Sequence, residues 1–338
     1  MFGEDYDVFE ISAKGQHIKA NVQYQLIKDI KAGQPCNLER ADFRSTKIQD
    51  CQFKDATFFN SDFKGAVVQD TRFEGCNFRA TDILNTTFVN VHFVGADFAD
   101  AALKHCQFTN CTFTGSFYGA SIDHCTFIDS TLDGVSFQAS SLLDLRFVRC
   151  ELKGLDTSNA GSSYLFFDHC QLSEMTMEVD DLPTFFFKPD YPLDRIKMRY
   201  RGDHVTFDRA WKKLDEFMSR LLKTNRFTDT LNLHILYRRH YDKSPSRSLE
   251  PWFKSIMEKL LAMDHDLDRE SQLLHLADLV DFYAGSDVLS GNDESDMITT
   301  LLTFKLPEES QASILFHGRM LRLRDRFVRT GNGDTTEQ

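Results

Sequence analysis

Cys36-Asn37-Leu38-Glu39-Arg40-Ala41-Asp42-Phe43-Arg44-Ser45-Thr46-Lys47-Ile48-Gln49-Asp50 opens a stretch in which a large apolar residue returns at every fifth position. The series runs Leu38, Phe43, Ile48, Phe53, Phe58, Phe63, Val68, Phe73, Phe78, Ile83, Phe88, Phe93, Phe98, Leu103, Phe108, Phe113. Two residues before each stands a small one, such as Cys36, Ala41, Thr46, Cys51, Ala56, Ser61, Ala66 and Thr71, and Val91 is the largest of the set. A helix repeats every 3.6 residues and a strand every two, so neither selects a strict period of five. A coil with flat five-residue sides does, if each side turns one large and one small side chain inward. Such a chain stacks on itself as a solenoid.

The phase slips by one residue after Phe113 and resumes at Phe117, Ile122, Phe127, Leu132, Phe137, Leu142, Phe147, Leu152. Thr157 and Ser162 then interrupt it, and the polar stretch 156–163 reads as a loop or bulge. The series returns in phase at Phe167, Leu172 and Met177. Ala41-Asp42-Phe43-Arg44, Cys76-Asn77-Phe78-Arg79 and Ala96-Asp97-Phe98-Ala99 show the unit most plainly. It resembles the A(D/N)LXX consensus of the pentapeptide-repeat family, with Phe largely in place of Leu. The resemblance covers residues 36–177 and implies a right-handed quadrilateral β-helix of about seven coils. At about 4.8 Å per stacked strand the rod would be roughly 30–35 Å long.

All eight cysteines, at 36, 51, 76, 106, 111, 125, 150 and 170, fall in the small inward slot. Their spacing is that of the repeat and not of CxxC pairs, so they read as small buried hydrophobes and not as zinc ligands. Free thiols in this number favour a reducing compartment. The acidic start Met1-Phe2-Gly3-Glu4-Asp5 has no apolar signal segment, and no run approaches a membrane span. The expectation is a cytoplasmic, bacterial protein.

Residues 1–35 read as an N-terminal cap, with a short strand at Val8–Ile11 and a helix over Ala20–Lys31, because a solenoid end needs a cover. Residues 178–207, with Pro183, Pro189 and Pro192 around Phe185-Phe186-Phe187, read as a linker. Helical periodicity then sets in, so the fold class is β-solenoid plus all-α, with a helical domain at 208–330 and a disordered tail at 331–338. The first helix pair is expected at Asp208–Thr224 and from Thr228, as its cap, to about Tyr241; it is similar to the TPR-like hairpins that follow some pentapeptide arrays. Further helices are expected at Pro251–Met263, Asp268–Tyr283, Asp293–Leu302 and Pro307–Arg329.

The net charge of −12 is unevenly placed. Residues 36–177 hold 11 basic and 18 acidic side chains, 195–247 hold 14 and 6, and 248–310 hold 4 and 14. Basic and acidic helices packed against each other account for such polarity without a partner. Arg199, Arg201, Lys212, Lys213, Arg238 and Arg239 are the candidate interface for an acidic protein partner.

No nucleotide-binding, hydrolase or zinc-protease motif is present. Asp264, Asp266 and Asp268 start like a calcium loop, but Arg269 and His275 stand where Gly and Glu are needed. His234 and His240 are six apart on one helix and do not face one way. Some family members join the β-helix to a HECT-like ubiquitin ligase, which needs a nucleophilic cysteine beyond the coils; none follows Cys170. The expectation is a non-enzyme without cofactor or metal: an interaction scaffold with a protein partner, and a possible homodimer through the helical domain. The resemblance supplies an alternative, mimicry of DNA toward a type II topoisomerase such as gyrase. Asp50, Asp55, Asp70 and Asp100 are the candidate acidic face for it, since ordered carboxylates can stand in for phosphates. Lys47, Lys54, Lys64, Arg72 and Arg79 interrupt that face, and the column Asp50, Asp70, Asn90, Asn110 fades to neutral. Direct nucleic-acid binding is disfavoured by the overall charge.

Overall fold

The computed structural model describes residues 26–32, 35–188, 196–206, 209, 220–221, 223–241, 250–263, 267–284, 291–302 and 311–331. The chain divides into a β unit, residues 1–187 with 193–210, and a helical unit formed by the remainder. The β unit is a solenoid of about eight turns built from parallel strands.

Each turn has four sides, named here by the inward residues of one coil, Val68, Phe73, Phe78 and Ile83. Equivalent residues lie twenty apart, as in Val68 against Phe88 and Phe53 against Phe73. From Leu38 to Leu152 the central residue of each side is buried, and so is the small residue two positions earlier from Ala41 to Cys111 and from Ala120 to Cys150. The core is a column of rings. Phe58, Phe78 and Phe98 stack in sequence at 4.7 Å, and Phe73 meets Phe78 edge-on at 5.1 Å. Offset stacking with edge contacts is the geometry aromatic quadrupoles favour, and it explains why Phe dominates the central position.

The corners explain the rest of the repeat. The residue two after each centre takes a left-handed conformation: Asp50, Asp55, Asn60, Gly65, Asp70 and Gly75 have φ of 49–72°. Gly, Asn and Asp tolerate that region best. On the Phe78 side the residue before the centre also works for the turn. Asn77 Oδ1 accepts the Arg79 N–H at 2.9 Å and Asp97 Oδ1 that of Ala99 at 2.9 Å, which is why Asn or Asp recurs there.

The single-residue slip lies at Gly115. The strand 112–116 pairs Thr114 with Val94 and Gly115 with Ala96, skipping Gly95. Gly115 has φ of 140°, and a side chain on it would collide with the Ala96 carbonyl. The shortened turn draws the backbone onto the coil before, and only glycine fits.

The solenoid extends beyond both expected limits. Leu26–Lys28 and Lys31–Ala32 are strands that pair with Lys47–Gln49 and with Gln52 and Phe53. The helix expected over Ala20–Lys31 is therefore replaced by a coil over its described part, because Ile27 and Ala32 keep the five-residue step and extend sheets already formed. Residues 1–25, including the strand expected at Val8–Ile11, lie outside the described residues. The expected loop at 156–163 is also coil. Thr157 takes a central position at 0 % exposure, its hydroxyl donating to the Thr176 carbonyl at 3.2 Å, and Ser162 pairs with Leu142. At Thr157 a short hydroxyl that returns its hydrogen bond to the backbone replaces an apolar centre.

The expected linker continues the rod. A 3₁₀ turn spans Val179–Thr184, and Phe185–Phe187 pairs in parallel with Leu165–Phe167. Leu182 and Phe187 keep the step of five from Met177, and both are fully buried. Lys197–Tyr200 stacks on Thr176–Glu178, and Asp203–Val205 returns antiparallel to it. Their connection, Arg201-Gly202, has positive φ at both residues, the type I′ hairpin turn. This hairpin ends the parallel stacking.

The helical unit contains α1 (Phe227–Tyr241), α2 (Glu250–Leu261), α3 (Leu267–Tyr283), α4 (Gly291–Leu302) and α5 (Gln311–Gly331). Thr228, expected to cap α1, lies inside its first turn and is buried. Most of the helix expected over Asp208–Thr224 and all of the tail after Gly331 fall outside the described residues. The acidic block 248–310 meets the arginines of α5 here. Arg319 pairs with Asp278, Arg322 with Asp281 at 3.1 Å, and Arg326 donates to the Ala284 carbonyl at 3.0 Å. The arginines of α5 thus compensate the acidic face and the C-terminal carbonyls of α3. Among the described residues no helix is long and apolar enough to cross a membrane.

Candidate binding surface

Period and pleat fix which side chains face out: those one before and one after each centre. On three sides of the rod these positions carry paired charges. On the Ile83 side Arg44 holds Asp42 at 2.6 Å and reaches Asp62 at 3.7 Å. The Arg44 hydrogen bond keeps the Asp42 carboxyl below its ordinary value. On the Phe73 side Glu74 takes Lys54 at 3.6 Å and Arg72 at 3.3 Å. On the Phe78 side Arg79 spans Asp97 and Asp100 at 3.7 and 3.1 Å.

The Val68 side differs. Over four successive coils its outward residues are Val67 and Gln69, Thr87 and Val89, Gln107 and Thr109, and Thr126 and Ile128. None is charged, and Lys47 and Arg146 stand only at the two ends. Val67, Val89 and Ile128 are half-buried, the exposure of a flat β-branched sheet surface.

One corner of this face is a ladder of side-chain amides. Asn90 Nδ2 donates to Asp70 Oδ1 at 2.9 Å, and Asn110 Nδ2 donates to Asn90 Oδ1 at 2.8 Å. The ladder then gives way to charge, with Arg149 gripping Asp129 through two bonds of 2.7 Å. Beyond it the Phe73 side adds His92, Val94, Thr112 and Thr114, so the tract free of Asp, Glu, Lys and Arg wraps the corner over two coils before Asp133 ends it. The opposite corner carries His105 and His124, whose rings lie 5.2 Å apart, and His124 binds Asp123.

The expected site residues are dispersed. Asp50 and Asp70 share the corner of the amide ladder, Asp55 lies on the next corner and Asp100 on the one after, so the four form no single face. All four occupy the left-handed corner position, which supplies a backbone reason for an aspartate. Arg199 lies 3.9 Å from Glu178 and donates to the Gly202 carbonyl at 3.4 Å, so its charge is engaged within the last coil. Arg201 occupies the hairpin turn with its guanidinium 5.3 Å from the Tyr200 ring. Arg238 and Arg239 lie on α1 in the other unit, with side chains outside the description, and Lys212 and Lys213 lie outside the described residues. The uncharged tract escaped a reading that searched for charge; its signal was the absence of Asp, Glu, Lys and Arg beside Val68, Phe88, Phe108 and Phe127.

Among the described residues no group of three or more His, Cys, Asp or Glu is placed to hold a metal ion. Burial raises the thiols of Cys76 and Cys111 to about 12, which leaves them inert.

Two family descriptions match the rod: "Pentapeptide repeats (8 copies)" over residues 36–79 and 76–115, and "Pentapeptide repeat region" over 101–177. No curated protein matches the chain. Among solved structures, QnrB1, described as a plasmid-mediated fluoroquinolone resistance protein, is 16 % identical with a TM-score of 0.31, covering 53 % of this chain and 92 % of its own. HetL, a pentapeptide-repeat protein involved in heterocyst differentiation regulation in the cyanobacterium Nostoc sp., is 14 % identical with a TM-score of 0.23, covering 57 % and 94 %. Rfr23, from the cyanobacterium Cyanothece, is 17 % identical with a TM-score of 0.19, covering 34 % and 62 %. Residues 36–177 are an array of the pentapeptide-repeat family.

Proposed function

We propose that the protein is a non-catalytic scaffold that binds another protein on the Val68 side of its rod. The observation that carries this reading is the uncharged tract from Val67 to Ile128 on a rod whose other sides carry paired ions. Interface centres are depleted of charge, since every buried ion must be desolvated, whereas Val, Thr and Gln come out of water at little cost. A solenoid side is also rigid, so little conformational entropy is lost on docking. The partner surface that fits is flat, uncharged and rich in β-branched and amide side chains.

Mimicry of DNA draws less support. The carboxylates of Asp42, Asp97, Asp100 and Asp129 are each paired with an arginine, which cancels the field that would stand in for phosphate. A homodimer of the helical unit would bury Ile314, Leu315 and Leu321, which are exposed on α5.

The test is Val89→Arg with Thr109→Arg. Asp168 occupies the same outward column and Lys47 and Arg146 the neighbouring one on this side, so charged side chains there suit the fold. Circular dichroism and melting temperature should stay at wild-type values while partner binding falls at least tenfold. Binding that survives both arginines would place the interface elsewhere.

A further inference from the structure

Two pairs of cysteines stack on successive coils. Glu151 pairs with Gln171, and the Gln171 N–H donates to the Cys150 carbonyl at 2.8 Å, so Cys150 and Cys170 lie one above the other in the small slot. Gln107 pairs with Thr126, and the Thr126 N–H donates to the Cys106 carbonyl at 2.9 Å, which stacks Cys106 and Cys125 in the same way. In-register parallel strands hold such residues about 4.8 Å apart at Cα, inside the span of roughly 4.4–6.8 Å that a disulfide bridges. The two side chains of each pair point inward together. Cys150 Sγ donates to the Phe127 carbonyl at 3.4 Å and Cys170 Sγ to that of Phe147 at 3.3 Å, each one coil back.

The pairs differ in access. Cys106 and Cys125 are 2 % and 0 % exposed. Cys150 is 1 % exposed, whereas Cys170 is half-buried. We propose that Cys150 and Cys170 are a reversible oxidation site, closed to an inter-coil disulfide by a hydroperoxide, while Cys106 and Cys125 form the same geometry sealed from oxidant.

The Cys170 thiolate attacks one oxygen of the peroxide, the O–O bond breaks, and hydroxide leaves as water once protonated, giving a sulfenic acid. Cys150 sulfur then attacks the sulfenic sulfur, the S–S bond forms, and the second hydroxide takes the Cys150 proton and leaves as water. Two thiols and one hydrogen peroxide thus become one disulfide and two waters. The two sulfurs share a hydrogen bond, so the pair loses its first proton more readily and its second less, and that single thiolate supplies the attack. The disulfide would tie the coil of Cys170 to the one before it.

The test treats the full chain with excess hydrogen peroxide at pH 8 under native conditions, followed by alkylation in denaturant and peptide mapping. The expected result is a fall from eight free thiols to six, a Cys150–Cys170 cross-linked peptide, unmodified Cys106 and Cys125, and full recovery with a dithiol reductant. Cys150→Ser should leave Cys170 as a sulfenic acid trapped by dimedone, and Cys170→Ser should leave all remaining thiols reduced. Serine already fills the same column at Ser130, so both variants suit the fold. Eight thiols retained, Cys170 over-oxidised without a link to Cys150, or linkage of Cys106 to Cys125 at an equal rate would each overturn the proposal.

Discussion

Asn110 donates a side-chain N–H to the carbonyl oxygen of Asn90 at 2.8 Å, one coil below it. Asn90 in turn donates to Asp70 at 2.9 Å, so Asn90 uses its acceptor upward and its donor downward along the rod axis. This ladder borders the uncharged side, and both asparagines have left-handed backbone, at φ of 56° and 53°.

Asn90→Asp should therefore cost more than Asn90→Ala. Alanine removes two partly exposed hydrogen bonds, about 0.5–1.5 kcal/mol each. Aspartate also places a carboxylate over Asp70, and this added repulsion should vanish as pH falls below about 4, where carboxylates protonate. Thermal unfolding of both variants at pH 7 and pH 3 measures the difference; equal melting temperatures at pH 7 would show that the ladder is ornamental.

Gly115→Ala should be among the most damaging single-methyl additions in the chain. The new carbon would meet the Ala96 carbonyl, whereas one on Gly95 would meet nothing within 4 Å. Gly95→Ala should cost about 1 kcal/mol, the left-handed penalty that Ala80 and Ala139 already carry, and Gly115→Ala several times that. Chemical denaturation of the two variants side by side checks the ratio.

Phe78→Ala should cost about 3–5 kcal/mol, because it empties a site that stacks on Phe58 and Phe98 and touches Phe73 and Phe93. Phe78→Leu should cost far less, since Leu103 and Leu132 fill the same central slot. Hydrogen exchange should show the opening confined to neighbouring coils, as stability in a solenoid is nearest-neighbour.

Asp181 gives a pH signature at the end of the rod. Burial, with Glu178 and Asp180 nearby, pushes its carboxyl up to about 7. The folded state holds the proton more tightly than the unfolded chain, whose value is near 4. Stability from this group is therefore complete below pH 4, falls as pH rises from about 4 to 7, and is flat above. Asp181→Asn should remove that slope and raise stability at pH 8 by up to about 4 kcal/mol, the free-energy equivalent of a shift of about three units. Melting curves of both proteins from pH 4 to pH 8 should converge at the acid end.

The coil was legible in the sequence because one physical constraint, a flat side of five residues, repeats with little variation from Leu38 to Phe113. The ends were less legible because the constraint weakens there. Ile27 and Ala32 keep the step but sit one residue out of phase with Leu38, and Ala32 is small for a centre. At the other end Leu182 and Phe187 remain in phase, but Pro183 and Pro189 look like breakers; Pro183 is accommodated in the 3₁₀ turn. The polarity of 156–163 suggests a loop, whereas a short hydroxyl such as that of Thr157 can be buried when the backbone accepts its hydrogen bond. The aspartates picked as a surface feature are corner residues whose identity the backbone favours. The uncharged tract was readable only by comparing flanks twenty residues apart, since no local window of sequence contains it.

The most direct measurement of the central claim is a paired capture with the full chain as bait. Wild type, Val89→Arg with Thr109→Arg, and Ser121→Arg with Ser141→Arg on the Ile83 side would be compared in one lysate of the source organism. A protein that is retained by wild type and by the serine variant, and lost from the Val89 and Thr109 variant, is the predicted result. Equal retention by all three baits, or equal loss from both variants, would contradict a binding surface on the Val68 side.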